Sequence, residues 1–428
     1  MGNPRVNALP SCQLVELARL LAALPPYDAD DKAPTSSFQA WLDHVSLQCP
    51  AAPNPERSHH PQYFWMDTLC VPVSPSNIRK QAIISMRSIY SNASRVLILD
   101  AELRSSTSAA SPEEKLSRIA CSAWVRRLWT LQEGVLAPKL YFQFAEAPFL
   151  FDVYAYPDFE EKLYDNPVSQ MAQESDLTRT AWAVPSLLRA VRTFQALKSR
   201  ATSREGDQPI CIATLLDVDL AELLSAPETD RVRKLWSLFR QVPAATLFLP
   251  GQKLDDPVYG WAPAHCMDCR HLAMPIDIPA DVTSHGVRVS LPGFILEPPG
   301  EAVGEVMAVT LQDATFYVRR NMKYDGASWD GLDLHLIPRL AVLLPQSPWK
   351  GGRLGLVASI AVLVSVVSEG GDEWSVEYLR FVSVIRKGCR YDLGPNPPWS
   401  EREGIEKGRI GKGILMEGDR KWIVSGRA

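Results

Sequence analysis

At 428 residues the chain is long enough for two or three domains. Its composition, 46% hydrophobic and 22% charged, is that of a globular protein with material for a real core. A net charge of −4 offers no basic surface for nucleic acid or an anionic membrane, and eight cysteines spread thinly over this length are no secreted disulfide scaffold.

The first residues, MGNPRVNALP, contain no basic-then-apolar leader, and Val6 stands where a myristoylation signal wants Ser or Thr. These features predict a cytoplasmic protein without a membrane anchor. Leu14, Leu17, Ala18, Leu20, Leu21 and Leu24 recur at helical spacing, with Ser11 placed to cap the helix and Pro25-Pro26 to end it. A short helix is expected over Phe38–Leu47, followed by a loop marked by Pro50, Pro53, Pro55 and Pro61.

Tyr63–Met66 is a short apolar run closed by Asp67, which reads as a buried strand of a parallel sheet. An amphipathic helix is expected over Ile78–Tyr90, then a second strand, Val96–Leu99, again closed by an acid, Asp100. After a serine-rich loop, Pro112 and Glu113 open one long predicted helix reaching Val135, and Leu140–Phe144 is a third strand. Strand, helix, strand, helix, strand is the order of a doubly wound α/β sheet, whose ligands sit at the carboxyl ends of the strands. The Asp67 to Pro72 turn is expected at such an end.

Beyond this α/β domain, assigned to residues 1–148, residues 149–275 read as mainly helical, most clearly at Ala181–Leu197 and Arg231–Phe239. Residues 276–428 read as β-rich, with short runs at Val287–Ser290, Leu340–Leu344, Leu356–Val367 and Val376–Ile385. The most apolar run, Leu354–Val367, is too short for a helical membrane span, which needs about 20 residues. His265, Cys266, Cys269 and His271 form half of a zinc site without a second half, so no metal is expected. Gly408 to Gly413 lacks the Ser or Thr and the earlier glycine of a phosphate loop.

Two segments carry unusual composition, Tyr63–Pro72 and Trp124–Leu136. On a helix Trp129 and Glu133 are neighbours four residues apart, with Arg126 one turn back. A ring to stack a flat group, a guanidinium for phosphate and a carboxylate could together hold a nucleotide. Plain packing of the tryptophans, surface ion pairing of Arg126 and Arg127, a turn-capping role for Asp67 and a buried inert thiol at Cys70 are the competing readings.

On "FWMDTLCVP", "AIISMRSIYSNASRVLILD" and "WVRRLWTLQEGVLAPKLYF", the stretch from Phe64 to Phe144 resembles the heterokaryon-incompatibility (HET) domain of filamentous fungi. HET domains are in turn similar to TIR domains, so the resemblance implies a flavodoxin-like parallel sheet. Its first strand, bearing a Ser-x-x-Trp-type motif, is missing from the sequence, which implies an incomplete domain. "TSREGDQPICIATLL", Thr202 to Leu216, resembles a segment found downstream of HET domains. The resemblance further implies self/non-self recognition leading to programmed cell death, with TIR-like hydrolysis of NAD as a candidate chemistry.

Only Glu133, preceded by Trp129, matches the catalytic Trp-x-x-x-Glu of NAD-consuming TIR enzymes; Trp129, Arg126 and Asp67 are the implied ligand contacts. A carboxylate there can stabilise the oxocarbenium-like state of nicotinamide–ribose cleavage without any further cofactor. A protein partner or self-association is expected, with neither nucleic acid nor membrane. A non-catalytic interaction module and an inactive shortened paralogue are the alternatives.

Overall fold

A computed structural model describes residues 9–25, 64–74, 76–151, 186–197, 200–268, 278–296, 306–311, 314–320, 337–346, 349–350, 353–354, 358–386, 411–415 and 420–427. The chain divides into two compact units, Met1–Trp182 and Ala183–Ala428. The first is mixed α/β and the second joins helices to a large sheet. The predicted helix over Phe38–Leu47, and Tyr63, lie outside the described residues.

In the first unit α1 spans Ser11–Ala22, with Leu17 and Leu20 buried. Ser11 is the first helical residue rather than the cap: Pro10 precedes the helix and no side chain closes its first turn. The expected strand over Tyr63–Met66 is not formed at its described residues. Phe64, Trp65 and Met66 are irregular, and Asp67–Cys70 is one helical turn, α2. Phe64 is 44% exposed while Trp65 packs on the apolar cluster, so the run divides between solvent and core instead of lying buried as a strand. Cys70, expected in the core, is exposed.

Helix α3, Ser76–Asn92, extends the predicted Ile78–Tyr90 at both ends and buries Met86 and Tyr90. It leads into strand β1, Val96–Ile98. Asp100 then caps α4, Ala101–Arg104, its Oδ1 accepting from the N–H groups of Glu102 at 3.0 Å and Leu103 at 3.4 Å. The acid after this strand is thus a helix cap, which satisfies orphan donors at a helix start.

The single long helix expected from Pro112 to Val135 is instead three: α5 Pro112–Cys121, α6 Ala123–Arg126 and α7 Thr130–Leu136. Helix α5 begins as its sequence requires, with Pro112 at the first position and Ser111 Oγ accepting from Glu114 N–H at 3.2 Å. Ser122 breaks it by adopting extended ψ and capping α6. Thr130, fully buried, ties the second break, its hydroxyl lying 2.5 Å from the Trp124 carbonyl and 2.7 Å from that of Arg127. Two short helices can direct Trp124 and Leu131 into the core from different angles, which one straight helix cannot.

Strand β2, Leu140–Gln143, pairs parallel with β1 (Val96 opposite Leu140, Ile98 opposite Phe142) and antiparallel with β3, Pro148–Leu150. This three-stranded sheet, ordered β1-β2-β3, packs Ile98, Leu116, Ile119, Trp124, Phe142 and Phe144 into one apolar core. Burying each large side chain stabilises by roughly 1.5–3 kcal/mol.

The second unit opens with α8 Ser186–Leu197, α9 Asp207–Leu216, α10 Leu220–Leu223 and α11 Arg231–Leu238. The segment Thr202 to Leu216 acquires a physical role here: Gln208 to Leu216 are all buried, so α9 is a helix enclosed on every side. Trp236, on α11, donates its indole N–H to the Pro263 carbonyl at 3.1 Å and packs on Trp261, Phe194 and Phe239.

Eleven strands then form one sheet ordered β13-β10-β7-β15-β8-β9-β14-β16-β6-β5-β4. They are β4 Gln241–Pro243, β5 Pro279–Thr283, β6 Gly286–Leu291, β7 Gly293–Leu296, β8 Val306–Leu311 and β9 Ala314–Arg320. After these come β10 Leu340–Leu343, β13 Ala358–Gly370, β14 Glu373–Arg386, β15 Gly411–Leu415 and β16 Arg420–Ser425, while β11 Trp349–Lys350 and β12 Arg353–Leu354 pair separately. The glycine-rich stretch near residue 411 thus enters the sheet as β15. Strand β6 alternates as a half-buried strand should, Val287, Val289 and Leu291 inward, Arg288 and Ser290 less buried. Residues Ala361 to Val364 of β13 are buried on both faces, and β13 also pairs with β14 through the Gly371–Asp372 turn.

Among the described residues no helix is long and apolar enough to cross a membrane. Cys266 is buried, and the described residues hold no group of three or more potential metal ligands; Cys269 and His271 lie outside them.

Candidate functional site around Glu133 and Tyr90

Glu133 lies in the first turn of α7 and is half-buried. Its Oε2 accepts a hydrogen bond from the indole Nε1–H of Trp124 at 3.1 Å. That tryptophan is held in turn: its backbone N–H donates to Asp100 Oδ2 at 3.3 Å, and its ring meets Phe142 edge-on at 5.2 Å. Gly134 makes room for it, since a Cβ there would lie 3.0 Å from the indole Cη2. The glycine beside the acid therefore serves the approach of the ring that bonds the acid.

Tyr90, near the end of α3 and 6% exposed, lies close enough to the same carboxylate for its charge to act on the phenol. Burial pushes its phenol far above the ordinary tyrosine range, and the charges of Glu133 and Asp67 push the same way, with Arg127 opposing. Trp65 packs edge-on against Tyr90 at 5.2 Å. Three stretches far apart in sequence, Trp65–Asp67, Tyr90 and Trp124–Glu133, thus converge on one phenol and one carboxylate.

The four residues singled out from sequence fare differently. Asp67 lies near enough to Tyr90 to act on it electrostatically, while its own Oδ1 accepts the Thr68 N–H at 2.6 Å. Trp129 precedes α7 in helical conformation, so its one-turn spacing from Glu133 survives; it packs on the Met86, Tyr90 and Leu136 cluster. Arg126 belongs to the preceding helix, is exposed, and donates from Nη2 to the Cys121 carbonyl at 2.8 Å. Arg127 is the guanidinium that acts on Tyr90.

Tyr90, Trp124 and Arg127 are the members that sequence reasoning missed. Only the Trp124–Gly134–Glu133 spacing hinted at one of them, and reading it required knowing that the helix breaks. Position in the sheet also differs from expectation. Val96, the first residue of β1, packs against the Met86–Tyr90–Leu136 cluster, so this constellation stands by the amino end of β1.

The arrangement defines a class: a half-buried carboxylate held by an indole donor, beside a buried phenol and among aromatic rings, on a small α/β unit. The family model described as Heterokaryon incompatibility protein (HET) matches residues 30–115, about a fifth of the chain and all within the first unit. The match takes in Asp67, α3 and β1 and ends within α5; Trp124, Trp129 and Glu133 follow it. No curated protein and no solved structure matches the chain.

Proposed function

We propose that this chain acts in heterokaryon incompatibility, triggering cell death in the cytoplasm by hydrolysing NAD at Glu133 on a TIR-like first unit. What supports the reading is one observation: Trp124 Nε1–H donates to the Glu133 carboxylate, with the buried Tyr90 phenol beside it. A fixed donor orients the group, and a donor to a charged acceptor makes the strong kind of hydrogen bond.

In this reaction the bond between ribose C1′ and the pyridinium nitrogen breaks, and its electron pair leaves with nicotinamide, which departs neutral. The Glu133 carboxylate stabilises the positive charge that develops on the ribose. Water adds to C1′ and releases a proton, giving ADP-ribose, nicotinamide and H⁺. No redox partner enters the balance. Asp67 adds a second negative charge close by, and self-association of the chain brings the triggering signal.

The test is expression of the full chain in a fungal host with NAD followed over time. Wild type lowers NAD before viability falls, and Glu133→Gln leaves both intact. Death with undiminished NAD, or NAD loss that survives the substitution, sinks the enzymatic reading. A second reading, a non-catalytic assembly module, is favoured by Arg126 and Trp129. The first is engaged on a backbone carbonyl and the second packs on apolar neighbours, so they do not form the expected stack-and-clamp. That reading expects concentration-dependent self-association and no NAD turnover by purified protein.

A further inference from the structure

Asp100 is buried, at 8% exposure, and its two carboxylate oxygens serve different helices. Oδ1 accepts from the N–H groups that open α4, those of Glu102 and Leu103. Oδ2 accepts the backbone N–H of Trp124, 24 positions further on, at 3.3 Å. That N–H lies in the first turn of α6, where a helix supplies no acceptor of its own. One side chain thus caps two helix starts and fixes them against each other.

A cap alone needs one oxygen. At the starts of α5 and α6, Ser111 and Ser122 supply it from a hydroxyl. At Asp100 the second oxygen is engaged on the residue whose ring reaches Glu133. The far side of Trp124 is held as well, its carbonyl accepting from the buried Thr130 hydroxyl at 2.5 Å. With N–H and carbonyl both pinned and the ring edge-on to Phe142, the direction of the indole Nε1–H is set. Glu133 Oε2 lies along it at 3.1 Å.

We propose that Asp100 is a positioning residue for Glu133, acting through the backbone of Trp124 and the indole donor. It touches neither the substrate nor the reacting atoms. Its effect on turnover rests on the NAD-hydrolysing reading of Glu133; the linkage from Asp100 to the indole donor does not.

Asp100→Asn and Asp100→Ser test this, because each keeps an oxygen for the α4 cap and neither offers a second one to Trp124. In the purified full chain each variant lowers kcat for NAD hydrolysis by about tenfold and leaves KM within about twofold. In a Trp124→Phe background the same substitutions add nothing, since the donor they misplace is already gone. An equal loss in that background overturns the proposal, because it marks Asp100 as general support for the fold. So does an unchanged kcat in both variants. A second readout needs no turnover: the proton–nitrogen correlation of the Trp124 indole, identified as the peak lost in Trp124→Phe. Asp100→Asn moves that peak upfield, in the direction that Glu133→Ala moves it. A peak unmoved by Asp100→Asn overturns the linkage. Should wild type leave NAD intact while the peak moves as stated, the hydrolytic reading fails and the positioning of Glu133 by Asp100 stands.

Discussion

The two units solve opposite problems. The second builds an eleven-stranded sheet whose apolar cluster gathers Phe294, Phe316, Leu340, Val342, Leu363 and Val382, each completely buried. The first has, among its described residues, three short strands and places its charged and aromatic side chains in breaks between short helices. A large sheet can bury long β-branched runs in bulk, and its stability is spread over many equivalent contacts. In the first unit single residues such as Ser122, Thr130 and Asp100 decide where a tryptophan points. The lesson is that chemistry collects where the backbone is interrupted and few neighbours share each task.

The sharpest way to break this contrast is to truncate a core residue of the sheet. Leu363→Ala, in the doubly buried part of β13, is expected to cost about 2–5 kcal/mol, read as a lowered urea midpoint for the second unit. An effect below about 1 kcal/mol would mean that the sheet tolerates a cavity and is less tightly packed than described. Next comes Gly286→Ala in the β5–β6 turn. Gly286 has φ +132°, and a Cβ there would sit 2.3 Å from the Val424 carbonyl, so a loss of roughly 1–3 kcal/mol is expected.

In the first unit Trp124→Phe keeps a ring edge-on to Phe142 but removes the donor to Glu133. A loss of about 1.5–3 kcal/mol in chemical denaturation follows for a charge-assisted bond, and an unchanged midpoint would show that the bond contributes nothing. Tyr90 gives a pH signature. Its phenol titrates higher folded than unfolded, so its stabilising contribution is complete below about pH 10, the ordinary tyrosine value, and is lost as pH rises beyond it. Stability therefore falls with an added slope of at most about 1.4 kcal/mol per pH unit above that point, and Tyr90→Phe removes that part of the slope. Smallest is Arg118→Ala, which deletes an exposed pair with Glu114 at 2.7 Å and is expected to cost only about 0.3–0.5 kcal/mol.

The same contrast explains what could be read from residues alone. The strands at Val96, Leu140, Val287, Leu340 and Val376 were all legible, because β-branched and aromatic runs bounded by turns carry their own signal. Helix α3 is legible from periodicity, and the start of α5 from Pro112 and Glu113 after the serine-rich loop. The Tyr63–Met66 strand failed because apolar runs this short carry no period, and Phe64 finds solvent. The long helix failed at Ser122, whose side chain offers the backbone a competing hydrogen bond.

At the candidate site Glu133 was visible as an acid beside an indole, yet the indole that bonds it is Trp124, nine residues back and across a helix break. No fixed spacing on one helix describes such a pair. In the sequence Tyr90 is only the last residue of an amphipathic helix, since tertiary packing alone brings it to an acid 43 positions away.

The placing of β16 has a consequence for biosynthesis. Residues 420–425 lie between β14 and β6, pairing with the first in parallel and with the second in antiparallel fashion. A ribosome must therefore deliver nearly every residue of the second unit before the β4-β5-β6 ribbon can join the rest. Until then the nascent polypeptide carries two open rows of backbone donors and acceptors, an opportunity for chaperones and a liability when synthesis stalls.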